Sequence, residues 1–184
     1  MSTPLNIFDI TRNYVLSCFK DEAQMRHFDR TVYWLKQLNP NVGEYLLVAA
    51  IGHDIARSLI INDSPVYSPN SVLDKDYLKE HQETGATILG EFLKTQNCDQ
   101  DFINKVQNAV SKHEVGGDDD QNLLKDADSI SFLENGSDIY ESFIKRFGAK
   151  ETKNKFDWMY NRITSKTAKQ IAKPFYEEIL NLIN

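Results

Sequence analysis

The chain has 184 residues, of which 41% are hydrophobic, 26% are charged and 11% are aromatic, and its net charge is -6. This composition is too apolar for a disordered chain, and the length suits one domain. The longest apolar run, residues 45–51, is far shorter than the ~20 residues that cross a bilayer, and no secretory signal opens the chain, so no membrane association is expected. Cys18 and Cys98 fit neither a disulfide framework nor a zinc site, which favours a reducing cytoplasm.

The apolar pattern predicts helices throughout. Glycine and proline are scarce, with 8 and 5 residues, which argues against an all-β fold rich in tight turns. No segment alternates with a period of two for long enough to predict a strand. We therefore predict an all-α bundle of about eight or nine helices in a single domain over residues 1–184. The helical segments are 5–19, 21–38, 44–61, 74–95, 99–114, 121–134, 137–147, 151–162 and 165–182, and the longest loop is 62–71.

The third predicted helix is apolar nearly all round over residues 46–51, so we expect it to be the central buried helix. His53 and Asp54 interrupt this apolar run. Burying a carboxylate beside an imidazole is costly unless other groups pair with them. A buried hydrogen-bonded pair would explain these two residues, and so would a metal site, because imidazole and carboxylate together suit a divalent transition metal.

Asp128 also lies in an apolar frame, with Asp126 two positions before it. Two positions that are two residues apart do not share a helix face, so we expect one aspartate to point inward and the other outward. The apolar neighbours favour Asp128 as the inward residue. The alternative is that both aspartates are solvated.

Four of these residues, taken in chain order, resemble the H…HD…D motif of the HD superfamily of metal-dependent phosphohydrolases. They are His27, His53, Asp54 and Asp128. The resemblance covers about residues 20–135 and implies an HD-type helical bundle in which these four side chains hold a divalent metal ion. Residues 137–184 are expected to form C-terminal helices that pack on that region.

Two further histidines resemble the extra ligands of superfamily members that bind two ions. His81 precedes a Gly-Ala pair, and His113 ends a predicted helix, with Glu114 beside it as a possible replacement. In the two-ion branch, Asp54 bridges the ions. One or two ions per chain are both compatible with the sequence. The expected ion is Mn, Fe, Co, Ni, Zn or Mg, since such ligands accept several divalent metals.

The resemblance implies hydrolysis of a phosphoester or phosphoanhydride by metal-bound hydroxide. A divalent ion makes hydroxide available because it lowers the pKa of bound water from 15.7 to about 7. The expected substrate is a small phosphorylated molecule, a nucleotide in particular. We expect Asp54 and Arg57 to be catalytic, because Arg57 lies one helical turn beyond the pair and could neutralise charge on the phosphoryl oxygens. Alternatively, Arg57 is a cation that stabilises the helix end.

Two branches of the superfamily are not matched. The glycine-tyrosine-proline motif of the cyclic-dinucleotide phosphodiesterases is absent, and residues 53–58 read HDIARS rather than the His-Asp-x-x-Glu-Asp of the (p)ppGpp hydrolases.

Residues 145–173 contain nine basic and two acidic residues. They could form a solvated helix face or a positive rim that attracts a phosphorylated substrate. The acidic chain as a whole argues against a long nucleic acid as partner. The alternative function is a non-catalytic HD module that binds metal and nucleotide as a sensor or scaffold. The sequence predicts no particular oligomeric state.

Overall fold

The computed structural model describes residues 6–19, 22–58 and 73–183. These residues form eight α-helices and no strand, which confirms the all-α prediction. No helix in these ranges combines the length and apolar character that a membrane span requires. The helices are α1 Ile7–Cys18, α2 Glu22–Leu38, α3 Glu44–Gly52, α4 Lys75–Thr95, α5 Gln100–Val110, α6 Asp119–Glu134, α7 Gly136–Asn161 and α8 Lys166–Ile183.

Aspartate side chains fix the starts of three helices. Asp74, Asp99 and Asp118 precede α4, α5 and α6, and each accepts a hydrogen bond from a backbone N–H in the first turn. Such caps satisfy donors that have no partner within the helix. This is why these starts lie within about two residues of the prediction.

The central position predicted for α3 is confirmed. Helix α3 contacts α1, α2, α5 and α6, and the side chains of Val48 and Ile51 are fully buried. A second apolar cluster lies among α6, α7 and α8. Trp34 and Leu38 at the end of α2 pack against both clusters. That residues 1–184 form a single domain stays a prediction.

Helix α4 passes close to the end of α3 at a glycine. A Cβ atom on Gly85 would lie 3.2 Å from the carbonyl oxygen of His53. A larger residue here would push the two helices apart. The close approach holds His81, one turn earlier on α4, beside the residues that follow α3.

Two helices end earlier than predicted, and both ends carry a histidine. Helix α3 ends at Gly52 instead of continuing to residue 61. The backbone that follows forms hydrogen bonds between residues three apart, and the Ile55 N–H donates to Gly52 O at 2.9 Å. Helix α5 ends at Val110 rather than at residue 114. The predicted loop 62–71 lies outside the described residues.

The predicted segments 137–147 and 151–162 form one helical run, α7, with a bend at Gly148. The φ angle of Gly148 is 81°, which is in the left-handed region that favours glycine. The bend turns the second half of α7 back toward α6 and α8, where Phe156 and Met159 are buried.

Candidate metal centre

Three side chains converge in what we name the first cluster, His27 on α2, His53 directly after α3, and Asp128 on α6. The Nε2 atom of His27 lies 3.1 Å from Asp128 Oδ1, and the Nε2 atom of His53 lies 3.4 Å from the same oxygen. One potential donor atom of each residue lies within 4.8 Å of the others. Helix α2, the end of α3 and α6 thus bring together residues that are up to 101 positions apart in the chain.

Four buried side chains form the second cluster, Asp54, His81, His113 and Glu114, again with donor atoms within 4.8 Å. Asp54 Oδ1 lies 2.7 Å from His81 Nε2 and 3.6 Å from His113 Nε2. Glu114 Oε1 lies 3.8 Å from His113 Nε2. All six predicted ligands therefore lie in the two clusters, and Glu114 accompanies His113 rather than replacing it.

The Asp54 carboxylate lies between the clusters. Its Oδ1 atom faces His81 and His113, while its Oδ2 atom lies 3.9 Å from His53 Nε2 in the first cluster. Each oxygen of this carboxylate thus faces a different cluster. A carboxylate in this position could contribute one oxygen to each cluster.

The two histidines at helix ends are oriented by the same device. The Nδ1 atoms of His53 and His113 lie 2.8 Å from the carbonyl oxygens of Ala50 and Val110, each three residues earlier. In a continued helix those carbonyls would accept from the next turn, so these bonds are linked to the early ends of α3 and α5. A carbonyl only accepts, so Nδ1 carries a proton, and in the neutral form of each imidazole Nε2 presents a lone pair to the cluster.

The Nδ1 atom of His27 is held in a similar way, 2.9 Å from Ser131 Oγ. The Ser131 hydroxyl in turn donates to the carbonyl oxygen of His27, so His27 Nδ1 also carries the proton. Such a hydrogen bond on the far nitrogen is typical of histidines that bind metals.

The donor set fits a divalent metal ion. Within the described ranges, the buried Nε2 atoms of His53 and His113 have no hydrogen-bond partner. Buried polar atoms are normally paired, so such atoms require an explanation. Each cluster combines two imidazoles with carboxylate oxygens, a set that suits Mn, Fe, Co, Ni or Zn. These buried clusters could hold metal.

Two arginines pair with the carboxylates. Arg57 Nε lies 2.6 Å from Asp54 Oδ2. The guanidinium of Arg162 donates to both Asp128 and Glu114, and so joins the first cluster to the second. The Arg162 side chain is only 6% exposed. Arg162 lies beyond the motif region, within the basic segment 145–173.

These charges shift the protonation of the carboxyl groups. Burial alone would raise the pKa of Asp54 and Asp128, but Arg57 beside Asp54, Arg162 beside Asp128, and His53 beside both hold each pKa well below its usual range. Burial likewise opposes the charge of Glu114, yet Arg162 and other cations lower its pKa to about 2. All three carboxylates are therefore ionised at neutral pH and available as ligands.

The pKa values of His53 in the first cluster and His81 in the second are shifted in opposite directions. Burial disfavours the charged form of His53, but Asp128 and Asp54 outweigh it and raise the pKa of His53 to about 9. Burial lowers the pKa of His81, despite its contact with Asp54. The first cluster therefore attracts positive charge strongly even though it is buried.

The prediction for Asp126 was wrong. Both aspartates are buried, with Asp126 2% and Asp128 5% exposed. Asp126 accepts hydrogen bonds from the backbone N–H groups of Thr164 and Ser165 and from the Thr164 hydroxyl. It holds the chain where α8 begins, so its inward position is structural. The spacing argument failed because α8 packs on the side of α6 that was expected to face solvent.

A cavity of about 420 Å³ opens over the clusters. Its walls include three cationic side chains, Arg57, Arg146 and Lys155, and the aromatic rings of Phe132 and Phe143. The clusters contribute four of the lining residues, namely His27, Asp54, Glu114 and Asp128. The cavity thus joins a polar, highly charged floor to a largely apolar wall.

The basic side chains of segment 145–173 lie in two kinds of surroundings. Arg146 and Lys155 line the cavity, and Arg162 reaches the clusters. Lys153, in contrast, pairs with Asp157 on the helix surface, and Lys173 pairs with Glu177. Only part of the segment therefore faces the candidate site.

The sequence matches the model of the family described as "Domain of unknown function (DUF4202)" over residues 14–182. The chain belongs to this family. The fold resembles a crystal structure described as a predicted HD superfamily hydrolase from an uncultured Thermotogales bacterium, with a TM-score of 0.62 and 18% sequence identity, covering 95% of this chain and 88% of that chain. At this identity the likeness establishes the fold, and it confirms the expected HD-type helical architecture. No curated protein matches the chain.

Proposed function

We propose that this protein is a metal-dependent phosphohydrolase that cleaves a phosphoester or phosphoanhydride bond in a nucleotide. The observation that carries the proposal is the position of Asp54, whose two carboxylate oxygens face different histidine clusters. Two divalent ions could be held side by side there, with Asp54 between them. A family of unknown function with an HD-type fold is compatible with this activity.

The chain divides the ligands between the two positions. His27, His53 and Asp128 would hold one ion, while His81, His113 and Glu114 would hold the other, and Asp54 would serve both. Such ions lower the pKa of water, polarise phosphoryl oxygens and orient the substrate. The hydrogen bonds to the Nδ1 atoms of His27, His53 and His113 fix these three imidazoles before any ligand enters, which reduces the reorganisation needed for binding.

The charge balance favours an anionic substrate. The carboxylates of Asp54, Glu114 and Asp128 are matched by three cationic side chains nearby, which are Arg57, Lys155 and Arg162. Divalent ions would therefore leave an excess of positive charge. A phosphate group offsets that excess, and Arg57 at the cavity wall could provide a planar pair of donors for its oxygens.

The cavity favours a substrate with an apolar or aromatic part. Its volume lies in the range of about 300–1,000 Å³ that small-molecule sites occupy. Phe132 and Phe143 on its wall offer ring faces or edges against which a nucleobase could pack. A nucleotide combines both requirements in one molecule, a charged phosphate and an aromatic base.

A non-catalytic module that binds metal and nucleotide is the second candidate. One observation favours it, because Arg57 and Arg162 already pair with the three carboxylates and stabilise the site without any reaction. In that case the protein would bind nucleotides and release no phosphate.

Phosphate release from a panel of nucleotides separates the two candidates. The protein is loaded with Mn²⁺ and incubated with nucleoside mono-, di- and triphosphates and with dinucleotides. Hydrolysis of at least one class by the wild-type protein, and none by Asp54→Asn, is the expected result. Asp138→Asn is the matched control, because Asp138 is an exposed residue paired with Arg26. Binding without hydrolysis across the panel would contradict the proposed activity and favour the module.

A further inference from the structure

Lys155 is a buried cation on the wall of the cavity. It lies in the second half of α7 and is only 7% exposed. The two arginines of the centre have carboxylate partners, since Arg57 pairs with Asp54 and Arg162 pairs with Asp128 and Glu114. Among the described residues, no carboxylate oxygen lies within ion-pair distance of the Lys155 ammonium, although Glu114 and Asp128 attract it from farther away.

Aromatic rings provide the direct contacts of the Lys155 ammonium. Its Nζ atom lies 4.5 Å from the ring centre of Trp158 and 5.6 Å from that of Phe132. Contacts of this kind offset only part of the cost of removing a cation from water. Burial accordingly lowers the pKa of Lys155 to about 8, although Glu114 is near enough to oppose the shift.

A buried ammonium that faces a cavity without an ion-pair partner is suited to an anion that enters the cavity. We propose that Lys155 binds a phosphate group of the substrate in this cavity. This assignment rests on the proposed function, since the phosphate belongs to the same substrate that the metal centre would hydrolyse. The ammonium is a compact charge with three donors, so it accepts phosphate oxygens from several directions.

Lys155 differs in this role from the two arginines. Arg162 is held by both clusters and is needed where it is, because its loss would leave Asp128 and Glu114 buried with unbalanced charge. Arg57 is tied to Asp54. The Lys155 ammonium can bind an incoming anion without breaking an existing ion pair.

Calorimetric titration with inorganic phosphate tests the assignment. The Mn²⁺-loaded wild-type protein is compared with Lys155→Met and Lys155→Arg. The matched control is Lys153→Met, because Lys153 lies on the same helix and pairs with Asp157 away from the cavity. We expect phosphate to bind about 10- to 100-fold more weakly to Lys155→Met, which is the worth of one hydrogen bond to a charged group. Lys155→Arg should recover most of that affinity, and Lys153→Met should match the wild type.

Elemental analysis of each variant must give the wild-type ion content, so that a loss of phosphate binding is not a loss of metal. Lys155→Gln provides a second neutral side chain in case the methionine disturbs the fold. Equal phosphate affinity in the wild type and both neutral variants would overturn the assignment, as would a wild-type protein that binds no phosphate.

The result is distinguishable from a failure of the proposed function. If Lys155→Met loses phosphate affinity and the wild type hydrolyses no nucleotide, Lys155 is an anion-binding residue of a non-catalytic module. If the wild type hydrolyses a nucleotide and the neutral variants bind phosphate normally, the enzyme is supported and the role of Lys155 is wrong.

Discussion

The two clusters use the same kinds of side chain but are built differently. The first cluster joins His27 on α2, His53 after α3 and Asp128 on α6, and all its Nδ1 atoms are held by protein acceptors. The second cluster draws on turns that follow helices and on α4. In the second cluster, the Nε2 atom of His81 lies 2.7 Å from Asp54 Oδ1. The buried Nδ1 atom of His81 has no hydrogen bond to any described residue.

This difference suggests that the clusters respond differently to mutation. The first cluster depends on contacts across the whole bundle, because α2 and α6 must pack together to bring His27 to Asp128. Because Asp54 belongs to both clusters, we expect its substitution to remove more bound metal than the substitution of one histidine in either cluster.

Removing the shared carboxylate has the largest expected effect. Asp54→Asn keeps the shape of the side chain but takes away the charge that faces both clusters. We expect bound metal to fall to near zero and hydrolysis to be abolished, with the helical circular dichroism signal retained. Metal content and phosphate release are measured against Asp138→Asn. Normal metal content in Asp54→Asn would contradict the shared role.

Removing one histidine should show whether the two clusters bind metal independently. His81→Ala takes one imidazole from the second cluster, and we expect about one ion per chain to remain, in the first cluster. The rate of hydrolysis should fall more than the affinity for substrate. His27→Ala is the corresponding change in the first cluster and should also leave about one ion. If either variant lost both ions, the clusters would not be independent sites.

Substitution of Arg57 should lower the rate of hydrolysis without changing the number of bound ions. A cation that stabilises charge on the phosphoryl oxygens is worth about 2.7–4 kcal/mol, so Arg57→Ala should lower the rate by about 100- to 1000-fold. Arg57→Lys keeps the charge without the planar fork and should have an intermediate rate. Ion content is measured in parallel, and Arg12→Ala serves as the surface control because Arg12 pairs with Asp29. An unchanged rate in Arg57→Ala would leave Arg57 as a structural partner of Asp54.

The smallest effect is on stability and lies outside both clusters. The folded protein lowers the pKa of Lys155 from 10.5 to about 8, so between these pH values the unfolded chain binds more protons and wild-type stability rises with pH. Lys155→Met lacks this rise. In metal-free protein it should be more stable than the wild type below pH 8, by up to about 3 kcal/mol, and the difference should shrink toward pH 10.

Urea unfolding at pH 7 and pH 10 measures this difference, with Lys153→Met as the control that should show neither effect. A stability difference independent of pH would mean that the ammonium is not held in a desolvated position.

The helical fold could be predicted from the sequence because its determinants are local. Apolar spacing located every described helix, and Asp74, Asp99 and Asp118 fixed three starts. The ends of α3 and α5 were missed. Each depends on a histidine side chain that bonds a backbone carbonyl, which helical periodicity does not reveal.

The candidate site was predictable only in part. The ordered motif identified the residues that the structure brings together, although their role as ligands stays a prediction. Arg162 could not be assigned to the carboxylates, because it meets Glu114 and Asp128 across 48 and 34 residues of sequence. The buried position of Lys155 likewise depends on how the bent α7 packs against α6.

Elemental analysis of protein purified without chelator tests the central claim most directly. The account predicts about two divalent ions per chain in the wild type, about one in His81→Ala and close to none in Asp54→Asn. A wild-type protein with one ion per chain, unchanged by removal of His81 or His113, would contradict the two-ion centre. A wild-type protein that retains no ion and takes up none when Mn²⁺ is supplied would contradict the metal centre altogether.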